Sequence, residues 1–144
     1  MSPVAALQTA LEAEHAALYL HGVLGARTSA AGAPALFRAV SAAYDAHRGQ
    51  RDALRREIED LGAEPVAAAP AYEAPGALGG PSAVAAAALE VERAVARTYA
   101  WLVTQSSGET RRRAIGALTQ TAVRELSFRG APEMLPGADE FANR

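Results

Sequence analysis

The stretch Gly62-Ala63-Glu64-Pro65-Val66-Ala67-Ala68-Ala69-Pro70-Ala71-Tyr72-Glu73-Ala74-Pro75-Gly76-Ala77-Leu78-Gly79-Gly80-Pro81 separates two helix-forming halves of the chain. From Ala63 to Pro81 it holds four prolines and three glycines, so no helix runs through it. At about 20 residues it is long for a structureless connection within a compact domain, and such a loop needs a reason. Extended, it spans up to about 65 Å, more than the length of one helix. A crossover along the whole length of a helical bundle supplies that reason. It predicts that the helix after the loop starts at the opposite end of the bundle from the point where the preceding helix stops.

Working outward, Gly62 is the natural C′ stop of the preceding helix, with Pro65 just beyond. That helix is expected over residues 34–61, opened by Pro34 after the small-residue turn from Thr28 to Ala33. Before it, Ser2-Pro3 reads as an N-cap with proline in the first turn, opening a helix over residues 3–27. After the loop, Ser82 is expected to cap a helix over residues 82–105. Ser106-Ser107-Gly108-Glu109 reads as a capping box, and a fourth helix over residues 107–129 ends at Gly130 and Pro132. The tail, residues 130–144, is expected to be irregular, with Leu135 and Phe141 as candidate anchors. Val66, Tyr72 and Leu78 are the candidate anchors of the loop. Period-two alternation is absent, so no strand is expected. The first and third connections are short, which makes the flanking helices antiparallel hairpins. The expected fold is therefore all-α, a four-helix bundle filling one domain over residues 1–144, with a long crossover between its second and third helices.

Composition agrees with a packed domain and narrows the function classes. Half of the 144 residues are hydrophobic and 21% are charged, which excludes wholesale disorder. The net charge of -2 argues against nucleic acid as a partner. There is no cysteine, hence no disulfide framework, thiolate metal site or cysteine nucleophile. No apolar run reaches membrane-spanning length, and Met1-Ser2-Pro3-Val4 does not open a secretory signal, so a cytoplasmic protein is expected. Alanine is roughly a quarter of the chain, which favours helix and lets helices approach closely.

The apolar stripes carry polar residues at their centres. On the first helix, Val4, Leu7, Leu11 and Leu18 recur in steps of three and four, and Glu14 and His21 fall on the same line. The second helix gives Phe37, Val40, Tyr44, His47, Arg51, Leu54, Ile58 and Leu61. The third gives Ala85, Ala88, Glu92, Val95, Tyr99 and Leu102. A competing register through Val84, Val91 and Thr98 leaves open whether Glu90 or Glu92 faces inward. The fourth gives Ile115, Leu118, Ala122 and Glu125, with Phe128 able to turn in. At 1.5 Å per residue, Glu14, His47, Glu92 and Glu125 lie at one height to within about two turns. Carboxyl groups there must be paired, protonated or metal-bound.

That constellation resembles the ligand pattern of ferritin-like di-iron proteins, in which two helices give one Glu each and two give Glu-x-x-His. The matches are Glu14, Tyr44-x-x-His47, Glu92 and Glu125-x-x-Phe128, with Tyr44 where a Glu is expected and Phe128 where a His is expected. The whole chain also resembles an actinobacterial ferritin-like family of unknown function, through Leu11-Glu12-Ala13-Glu14-His15, Ala46-His47-Arg48-Gly49-Gln50-Arg51-Asp52, Glu90-Val91-Glu92 and Pro136-Gly137. The resemblance implies a ferritin-like bundle whose metal site is degenerate.

The expected core is then a carboxylate–His–Arg–Tyr network of Glu14, His15, Tyr44, His47, Arg51, Glu92 and Glu125. Arg51, Arg48 and Arg129 are the candidate partners of the carboxylates, because guanidinium binds carboxylate bidentately. His15 is read as capping the cluster and His21 as partly wet. The expected role is non-catalytic, binding or structural, in a homodimer and without a cofactor. A second expectation is a metalloprotein in which Glu14, His47, Glu92 and Glu125 hold iron or manganese for oxidation or storage chemistry. A third is a helical partner-binding module using the loop or Arg111-Arg112-Arg113, a triplet that otherwise reads as a solvated face.

Overall fold

A computed structural model describes residues 2–129 and 134–138. The order is α1 (Pro3–Ala26), α2 (Pro34–Asp60), α3 (Pro81–Gln105) and α4 (Gly108–Arg129), with no strand among the described residues. None of these helices is long and apolar enough to cross a membrane.

Punctuation residues set the ends. Ser2 Oγ accepts from the Ala5 amide at 3.1 Å, capping α1. Gly62, at φ +78°, closes α2 in a Schellman turn, with its own amide on Glu59 O and the Ala63 amide on Ile58 O. Two expected caps differ. Pro81, at the first position, rather than a Ser82 cap, opens α3. The capping box does not form, because the Ser106 hydroxyl turns back to Leu102 O and Glu109 pairs with Arg112 and Arg113.

Two apolar clusters fix the topology. One gathers Leu7, Leu11, Leu54, Ile58, Tyr99, Leu102, Ala114 and Ala117, and the other gathers Leu24, Val40, Val84, Ala88 and Phe128. The end of α2 thus lies with the end of α3, while the start of α3 lies at the far end of the bundle. The long loop therefore crosses the full length, as expected. Its anchors are those expected from the sequence: Val66 and Tyr72 pack on the first cluster and Leu78 on the second.

Gln8 clamps the loop to α1. Its Oε1 accepts from the Val66 amide at 2.8 Å and its Nε2 donates to Glu64 O at 2.7 Å. In the tail, Leu135 is half exposed rather than an anchor, and Phe141 lies outside the described residues. Gly137 instead sits against α3 beside Ala96 and Ala100.

The inner face of α4 is rotated from the expected line. Ala114, Ala117, Thr121 and Glu125 are buried, while Ile115, Val123 and Leu126 are exposed. Small side chains let α4 approach α3 closely, so side-chain size, not hydrophobicity alone, selects the inner line. On α2 the buried line is Val40, Ala43, His47, Leu54 and Ile58. Tyr44 and Arg51 keep the spacing of that line but sit at its edge, and their side chains turn away from the core.

Candidate functional site

Midway along the bundle, between the two apolar clusters, all four helices contribute to one polar cluster. Glu14, His21, His47, Glu92 and Glu125 are all buried, each at most 1% exposed. Glu92, not Glu90, faces the core; Glu90 is exposed and pairs with Arg93.

His47 is the hub. Its Nδ1 donates to Glu14 Oε2 at 2.7 Å and its Nε2 to Glu92 Oε1 at 2.9 Å. Burial alone would lower its pKa. The hydrogen bonds to Glu14 and Glu92, with their charges, outweigh burial and raise it to about 9. His47 is therefore an imidazolium at neutral pH, with both ring nitrogens protonated.

Glu92 is the second hub. Its Oε1 also accepts from His21 Nε2 at 3.0 Å, and its Oε2 accepts from Arg124 Nε at 3.2 Å. Burial would raise its pKa. The bonds from His21 and His47 and the charges of His47 and Arg124 reverse that, holding it ionised well below the usual carboxylate range. Arg124 is itself positioned by Thr121, whose hydroxyl accepts from Nη2 at 3.0 Å.

The outer members complete the geometry. Tyr99 donates to Glu14 Oε1 at 2.6 Å, and burial, then the adjacent carboxylate, raises its pKa well above the ordinary value. The rings of His21 and His47 stack with centroids 5.1 Å apart, and Phe128 stacks on the other partner, His21, at 6.1 Å. Burial, only partly offset by Glu92, lowers the pKa of His21, so this imidazole is neutral. Its Nδ1 is buried with no hydrogen-bond partner among the described residues. Glu125 lies one turn below Arg129, with Oε2 3.9 Å from Nη1.

The structure brings Glu14, His47 and Glu92 together and places Glu125 on the same inner face. The other expected members lie elsewhere. Tyr44 is 36% exposed, its ring over Gly22. Arg51 pairs with Asp52 near the surface, and Arg48 with Asp45. His15 bonds Val66 O at 2.9 Å and holds the crossover loop instead of capping the cluster. Arg129 is the expected partner that does lie beside a core carboxylate. His21 is fully buried, not partly wet. Arg124 is the residue sequence reasoning passed over, because its Cα lies beside, not on, the inner line of α4, while its long stem carries the guanidinium to Glu92.

A dinuclear metal centre does not fit these residues. Tyr44 faces outward, Phe128 offers no donor atom, both nitrogens of His47 are engaged by carboxylates, and Arg124 occupies the second oxygen of Glu92. A narrower donor set is present: one ligand atom each from His21, His47 and Glu92 lie within 4.8 Å of one another.

Among solved structures, the chain resembles the conserved hypothetical protein rv2844 from Mycobacterium tuberculosis, with a TM-score of 0.81 and 27% identity over 89% of this chain and 95% of that one. No curated protein matches. The family model for the domain of unknown function DUF4439 matches residues 6–140, nearly the whole sequence, and the chain belongs to that family.

Proposed function

We propose that this protein has a non-catalytic, binding or structural role, built on a ferritin-like bundle whose metal centre is replaced by a self-neutralising ion network. The observation that carries this reading is the closure of the hubs. Both nitrogens of His47 are bound by Glu14 and Glu92, and Arg124 takes the free side of Glu92. The formal charges of Glu14, Glu92 and Glu125 are matched by the His47 imidazolium and the guanidiniums of Arg124 and Arg129, so no further cation is needed to make the burial tolerable. The test is elemental analysis of untagged protein after exposure to Fe(II), Mn(II) and Zn(II) and desalting. No retained metal, and a melting temperature unmoved by chelator, are expected.

A second reading rests on the convergence of His21, His47 and Glu92. Two imidazoles and a carboxylate are a donor set suited to one divalent ion such as iron or manganese, with Glu14 orienting His47 from behind. Stoichiometric metal that is lost in His21→Ala would establish this reading and overturn the first.

The cytoplasmic setting remains part of the proposal, as does a homodimer. The exposed Ile115, Val123 and Leu126 on α4 support the dimer. The arginine triplet supports no nucleic-acid role, since Arg112 and Arg113 pair with Glu109, and Arg113 also with Glu57.

A further inference from the structure

The helices do not enclose the core evenly. α1 packs along α2 and α3, and α3 along α4, but α2 and α4 meet mainly through polar ties. Gln50 Nε2 donates to Gln120 Oε1 at 3.1 Å, and Thr110 Oγ1 donates to Glu57 Oε1 at 2.5 Å. Along this seam opens a cleft of about 460 Å³. Its floor is apolar and belongs to the core: Leu7, Leu54, Tyr99, Leu102, Ala114 and Ala117. Its rim carries Gln50, Gln120 and Thr110, and its charges cancel, with Arg56 and Arg113 set against Glu57 and Asp60.

A second feature points to the same space. Gly116 lies in the interior of α4 and lines the cleft. A helix-interior glycine costs about 0.5–1 kcal/mol relative to alanine, and close helix packing is the usual reason for one. Here a Cβ would meet nothing within 4 Å, so no neighbouring helix requires the glycine. What the missing side chain leaves open is the wall of the cleft.

We infer that the α2–α4 cleft is a binding site for a small uncharged amphiphile, with an apolar body on the leucine–alanine floor and one hydroxyl or amide group at Gln50 and Gln120. The size falls within the range of small-molecule pockets, about 300–1,000 Å³, and so do an apolar floor and a few polar groups. The balanced rim gives no net field to attract an ion, which argues for a neutral ligand over a fatty acid or a phosphate ester. This inference is independent of whether the polar cluster holds a metal.

The test is fluorescence titration of the wild-type chain with N-phenylnaphthylamine, an uncharged aromatic amine, followed by displacement. Saturable binding at one site per chain is expected, with displacement by decanol and not by decanoate. Gly116→Phe fills the cleft from one wall and Ala53→Phe from the other. Each is expected to weaken binding about tenfold or more, equivalent to about 1.4 kcal/mol. Arg38→Met, at an exposed position near the start of α2 and outside the cleft lining, is expected to bind as wild type. Absence of saturable binding overturns the inference. Equal displacement by decanoate, or unchanged binding in whichever wall variant folds, overturns it too.

Discussion

Raising the pH should weaken this fold through one residue. The pKa of His47 is raised from 6.5 to about 9 in the folded chain, because Glu14 and Glu92 hold its proton. At about 1.4 kcal/mol per pH unit, that difference corresponds to about 3 kcal/mol of folding stability. The sign follows from proton counting. Below pH 6.5 both folded and unfolded histidine are protonated and the full contribution is present. Between 6.5 and about 9 only the folded state keeps the proton, and stability declines as pH rises, the contribution being lost by the time the pH has passed through the folded pKa. On the acid side, His21 and Glu92 have lowered pKa values and act oppositely, so stability also falls as pH drops below 6.5. The alkaline window is unusually clean, since the sequence has neither lysine nor cysteine. Urea unfolding of wild type and His47→Gln across this window is the assay. The wild type should lose about 3 kcal/mol and the variant should be nearly flat. Matching declines in both proteins would refute the reasoning. So would an NMR titration of the His47 ring with a midpoint at or below its ordinary value.

Three further outcomes follow from the same geometry. Arg124→Met should destabilise by about 2 kcal/mol in chemical denaturation, because buried Glu92 loses a charged partner that the thioether cannot replace. Tyr99→Phe should cost about 1.5 kcal/mol by the same measurement, through loss of the hydroxyl donated to Glu14 at 2.6 Å, with little change in apolar packing. Gly137→Ala should release the tail from α3, because φ is +78° and a Cβ would lie 2.7 Å from Ala96 O; faster limited proteolysis after α4 with an unchanged bundle core checks it.

The parts of this structure legible in the sequence are those written in punctuation and period. Ser2, Pro34, Gly62 and the proline-rich loop mark helix ends by backbone chemistry that tertiary context does not override, so the four helices and the crossover follow from them. Glu14, His47 and Glu92 were legible because they interrupt apolar stripes at one height. The losses came from rotation and reach. On α2, Tyr44 and Arg51 keep the apolar spacing, three and four residues from His47, yet sit at the edge of the buried stripe, where Tyr44 packs over Gly22 and Arg51 turns to Asp52. On α4 the hydrophobic pattern pointed to Ile115, whereas close packing against α3 needed Ala114 and Ala117. Arg124 was missed because periodicity locates Cα atoms, and a guanidinium acts several bonds away from its own. His21 sat on the stripe throughout; only the stacked ring of Phe128 and the carboxylate of Glu92 make it a full member of the cluster.

On the proposed reading, the exchange of metal for side-chain charge has its own logic. A bundle that directs carboxylates inward from several helices must be supplied with positive charge, and two divalent ions can supply it only while the metal is available. Here α2 supplies an imidazolium and α4 a guanidinium, each on the chain itself. The cation is then present from the moment the helices dock, and Glu92 connects α1, α2 and α4 through His21, His47 and Arg124 without any exogenous group. Such a network is costly to bury and rewards only one arrangement of the four helices, so its contribution is to specify the packing more than to deepen it. On this reasoning, replacing Glu14, His47, Glu92 and Arg124 together by apolar residues of similar size should cost far less stability than removing Glu14 alone. The expected penalty of the quadruple variant is looser helix register, seen as broadened NMR lines, and a quadruple variant less stable than Glu14→Ala would sink the argument.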